Sequence, residues 1–174
     1  MKIKYKKGDL PDMLIFLVTL TILAIGLFIF AFIIPTIADG LAGAGLNSST
    51  EGAEAIHEMG LIGTELMQRG FFFLFVGLIM GIMITSFLVR THPIFIFMYI
   101  FFLGITILLG TYMGNFYETL TSSPVFADTL ASQTLINVVM NNITKIPLGV
   151  GALRMVIIFA KFSSGASLTR GGEL

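Results

Sequence analysis

Few residues in this chain invite a chemical reading: the pair Glu54 and His57, the lone His92, and Arg154. Glu54 and His57 stand three apart, so on a helix a carboxylate and an imidazole share one face, as in the Glu-x-x-His bundles that hold iron. Those bundles carry the motif twice and add glutamates from other helices. Here it occurs once, and Glu51, Glu58 and Glu65 read as the solvated face of the same helix. No metal or cofactor site is expected. His92 lies between Arg90 and Pro93 in a short polar turn, where a proton relay lacks buried acidic partners. Arg154 is the one charge inside the last apolar run, and an ionisable group in a membrane segment is costly enough to call for an account. No apolar run contains an Asp or Glu to pair with it. The sequence therefore favours an arginine that snorkels to a headgroup on its long stem over one that contacts an anion or another chain.

Catalysis has no support. The chain has no cysteine, hence no disulfide, thiolate nucleophile or Cys-zinc site. It has no Gly-rich phosphate loop and no G-x-S-x-G elbow, so no enzyme is expected. Ten basic residues balance ten acidic ones, which predicts no nucleic-acid partner.

What dominates is apolar surface. Of 174 residues 56% are hydrophobic and 11% charged, against about 25% charged in a typical soluble domain, so the chain reads as an integral membrane protein. At its centre, residues 71–89 and 94–113 form two charge-free stretches separated only by residues 90–93. Each is about 20 residues, enough at 1.5 Å per residue to cross a hydrocarbon core of roughly 30 Å. The short turn predicts two antiparallel helices lying side by side. Gly77 and Gly81 form one G-x-x-x-G and Gly110 and Gly114 another; in lipid, close backbone approach at small residues helps helices associate, so these four are the helix-packing candidates.

The remaining elements complete an all-α, polytopic membrane domain of four transmembrane helices and two amphipathic loop helices. Residues 13–38 are too long for a signal h-region and predict a first span, with Pro35 terminating or kinking its far end. Ser48 and Glu51 fit a capping box, so a loop helix is expected over 50–68, its amphipathic pattern broken by Gly60 and Gly63, lying on the membrane surface or against a neighbour. Ser123 before Pro124 starts a second loop helix over 124–139, with Phe126, Leu130, Ile136, Val139 and Ile143 on one face and Asp128, Gln133, Asn137 and Asn141 on the other. The last span is placed at 140–160, and the Ser- and Gly-rich tail from 161 is expected to be flexible. Lysines at positions 2, 4, 6 and 7, Arg90 and Lys161 put both termini on the basic, cytoplasmic-equivalent side, with both larger loops opposite.

The stretch from Thr91-His92-Pro93 through Gly114-Asn115-Phe116-Tyr117, followed by an amphipathic loop and a short span ending at Lys161, resembles small membrane proteins of tailless, membrane-containing icosahedral viruses of the double jelly-roll type. The resemblance covers roughly the C-terminal half. It implies a virion membrane protein that sits in lipid under a capsid, repeats symmetrically and links lipid to shell. The expected partners are then the bilayer, further copies of the chain, and other membrane or capsid proteins. The rival readings are a channel, holin-like or transport component, and an accessory subunit of a membrane enzyme complex. For an ion path, Thr85, Ser86, Thr106 and Thr111 are meagre polar material inside the central hairpin.

Overall fold

The computed structural model describes residues 12–88 and 94–169. The lysine-rich start, the hairpin turn with Arg90 and His92, and the last residues of the tail lie outside the described residues. Everything described is helix or short connection, as apolar chains in lipid require: with no water to hydrogen-bond, backbone groups must satisfy one another within the segment.

Helix α1 runs Asp12–Gly43, α2 Thr50–Leu61, α3 Met67–Leu88, α4 Ile94–Thr121, α5 Ala127–Ser132, α6 Thr134–Asn141 and α7 Lys145–Thr169. Three helical stretches are long and apolar enough to cross a membrane: Asp12–Gly43, Thr50–Phe87 and Ile96–Thr121. A fourth crossing exists if Thr134–Asn141 and Lys145–Ala160, bent by 68°, count as one broken span.

Several boundaries differ from expectation, each for a local reason. Pro35 does not end the first span; it sits inside α1, where its missing N–H leaves the carbonyl four residues back without a helical donor. The first loop helix does begin at Thr50, but its N-cap is Ser49, whose hydroxyl accepts from the Gly52 N–H at 3.1 Å, while Ser48 donates back to the Gly45 carbonyl. That loop helix packs against a neighbour, α1, and is not a separate element. A π-helical segment, Ile62–Leu66, joins α2 to α3 in one continuous rod. The second loop helix is interrupted instead. A 3₁₀ turn, Pro124–Phe126, precedes α5, and α5 and α6 part at Gln133. The last span does not run straight from residue 140: the chain bends at residues 142–144, and α7 then continues to Thr169, into the stretch expected to be flexible.

The lateral order also departs from the hairpin reading. Although α3 and α4 are neighbours in sequence, they scarcely touch. Both pack on α1 and both pack on α7, which stand between them. The core is correspondingly built around α1, whose Phe16, Leu17, Leu20 and Phe28 share one buried cluster with Tyr117 of α4 and Ile136 and Met140 of α6. Phe28 meets Tyr117 edge to face, ring centroids 5.6 Å apart. A turn of a few residues fixes that two helices are antiparallel, but not that they share an interface. Here α1 offers the better-fitting surface to each.

Candidate functional site

The described ionisable groups that meet inside the bundle are Arg154 and Asp12. Arg154 Nη2 donates to Asp12 Oδ2 at 2.7 Å, with side chains 5% and 25% exposed respectively. The guanidinium carbon also stands 5.5 Å from the Tyr99 ring centroid, within the range where a cation is drawn to an aromatic face. Arg154 thus finds a carboxylate partner within its own chain, in Asp12 just before the first apolar run.

Three helices position this triad. Asp12 is the first residue of α1, where a carboxylate suits the positive end of the helix dipole. Tyr99 is held by its hydroxyl, which donates to the Gly151 carbonyl of α7 at 3.0 Å. Gly151 permits that approach: a Cβ there would stand 2.7 Å from Leu103 Cδ1 and 3.1 Å from Tyr99 Oη. Arg154 follows one turn later on the same helix. Beyond it α7 continues Met-Val-Ile-Ile-Phe-Ala, and before Tyr99 α4 has already begun with Ile-Phe-Ile-Phe-Met. Two of the guanidinium nitrogens, Nε and Nη1, are buried without an acceptor among the described residues.

Asp12 also closes one end of a groove of about 430 Å³ between α1 and α3. The groove is lined mainly by apolar side chains together with Gly77 and Gly81. A Cβ added at either glycine would meet nothing within 4 Å, so this first G-x-x-x-G makes no close contact among the described residues. The second pair behaves differently. A Cβ on Gly110 would stand 3.3 Å from the Thr144 Cα and one on Gly114 3.2 Å from Ile143 Cγ2, placing α4 against the bend between α6 and α7.

A second polar cluster lies toward the opposite end of α1. Gln133 is fully buried, and its Nε2 donates to the carbonyls of Gly63 at 2.9 Å and Thr64 at 3.0 Å, both in the π segment. A π turn displaces the backbone ladder and frees carbonyls to accept from elsewhere. The Leu135 N–H donates in turn to Gln68 Oε1 at 3.2 Å. Gly63 seats against the ring of Pro35: a Cβ there would stand 2.7 Å from Pro35 Cδ. Gln133, expected on the polar face, is therefore turned inward and clasps two helices together.

Glu54 and His57 are both exposed on α2, and among the described residues no three His, Asp or Glu come together. His92 lies outside the described residues. Sequence reading missed Asp12, Tyr99, Gly151, Gln133 and Gly63. Only Asp12 carried a signal, an acidic residue directly after a proline and directly before an apolar run, the signature of a helix start.

No protein-family model, no curated protein and no solved structure matches this chain.

Proposed function

We propose that this chain is a non-enzymatic structural or assembly protein of a membrane, linking lipid to neighbouring proteins through helix packing and self-association. One observation carries the reading. The buried hydroxyls of Thr21, Ser86 and Thr106 each donate to a carbonyl one turn back on their own helix, and Arg154 is paired with Asp12. No buried polar lane of described residues is left for an ion to follow, whereas long apolar faces such as Ile22, Phe73, Phe97 and Phe159 point outward. Such faces suit lipid and partner helices. The resemblance of the C-terminal half to viral membrane proteins supplies the proposed setting, a virion membrane beneath a capsid.

Dye release from liposomes carrying the purified protein tests this. The structural reading expects no leakage above that of empty vesicles at any protein-to-lipid ratio. Robust leakage that disappears in Arg154→Ala would overturn it in favour of a channel or holin-like pore.

A further inference from the structure

We infer that the groove between α1 and α3 binds an aminophospholipid of the phosphatidylethanolamine type, its ammonium on Asp12 and one acyl chain along Gly77 and Gly81. The inference rests on membrane residence alone and not on the assembly role proposed above.

The groove has the shape and polarity of such a ligand. From Phe73 to Thr85 it follows about 18 Å of α3 at 1.5 Å rise, close to the ~15 Å half-thickness of a hydrocarbon core. Its walls are mainly apolar, and both glycines leave room that no described side chain fills. Thr85, at the Asp12 end, has already committed its hydroxyl proton to the Ile82 carbonyl at 2.8 Å, so it offers acceptors only.

Charge then selects the headgroup. Among the described lining residues Asp12 is the single ionisable one, and its carboxylate is a quarter exposed. Its counter-ion Arg154 is 5% exposed and does not line the groove. The groove therefore ends at a carboxylate whose Oδ2 is paired with Arg154 and whose Oδ1 carries no partner among the described protein donors. A primary ammonium supplies N–H donors to that oxygen, while a quaternary choline of equal charge supplies none. A second copy of the chain would bring an apolar helix to the glycines but leave Oδ1 without a donor.

Native mass spectrometry tests this on the full-length protein, extracted from vesicles holding equal amounts of ethanolamine and choline phospholipids with identical acyl chains. One retained lipid is expected, ethanolamine over choline by about tenfold, the ratio one charge-assisted hydrogen bond supports. Gly81→Leu should remove the retained lipid without disturbing the fold, since a side chain there meets open space. Asp12→Asn combined with Arg154→Met, which removes both charges together, should erase the headgroup preference but keep a retained lipid. Equal retention of both lipids by the native protein, or undiminished retention by a folded Gly81→Leu, would overturn the inference. So would disulfide-linked dimers of Gly77→Cys in the membrane, made unambiguous by a chain with no other cysteine. Dye release is indifferent to all these outcomes, so the two proposals fail separately.

Discussion

The two polar clusters of this bundle hold it by different chemistry. Near one end of α1, Asp12 and Arg154 join α1 to α7 side chain to side chain and through full charges. Near the other, the neutral amide of Gln133 joins the α5–α6 junction to backbone carbonyls of the π segment. The contrast teaches how each can be undone. A pair made of two side chains can be deleted from both sides, leaving nothing unpaired. A contact to backbone can be deleted from one side only, because the carbonyls stay.

The largest expected effect follows from that difference. Asp12→Asn or Arg154→Met alone leaves one buried ionic group without its partner and should cost about 3–5 kcal/mol. The double variant should recover most of that loss. SDS-titration unfolding followed by circular dichroism reads both; a double variant as unstable as the worse single would show that the charges are not coupled.

Next comes the clasp. Gln133→Leu leaves the Gly63 and Thr64 carbonyls without an amide donor and should destabilise by about 1–3 kcal/mol. No second substitution at the carbonyls can restore this. If Gln133→Leu is neutral in the same titration, the clasp is ornament and the comparison collapses.

The glycines sharpen the same contrast between filled and open surface. Gly110→Ala and Gly114→Ala push a methyl to 3.2–3.3 Å from α6–α7 atoms and should each cost about 1 kcal/mol. Gly77→Ala and Gly81→Ala meet open space and should be neutral or gain up to about 1 kcal/mol from helix propensity. Equal losses at all four positions would mean that the α1–α3 groove is closed in the membrane.

The smallest effect belongs to the exposed pair. Arg69 Nη2 and Glu65 Oε2 are 2.8 Å apart, but the side chains are 72% and 58% exposed. Glu65→Gln should change stability by less than about 0.5 kcal/mol, and its thermal midpoint should match that of the native protein.

Much of the secondary structure is written locally and was readable. The apolar run of α1, the start of α2 at Thr50 and the Pro124 turn are consequences of neighbouring residues. Gln133 was not readable, because its neighbours Asp128, Asn137 and Asn141 give it the pattern of a solvated face; what turns it inward is a helix 70 residues away. Gly63 looked like a breaker for the same reason. Only the ring of Pro35 against it gives the glycine a packing role.

The sequence by itself determined that the chain is helical, that its long helices belong in lipid and where most of them begin, since these depend on hydropathy and on neighbours within one or two turns. Tertiary structure alone decided that α3 and α4 stand apart, that a π segment joins α2 to α3, and that Arg154 finds Asp12 across 142 residues. Lateral order and partner choice depend on how helix surfaces fit one another. In lipid that fit is set by close packing and a few hydrogen bonds, neither of which leaves a periodic mark along the chain.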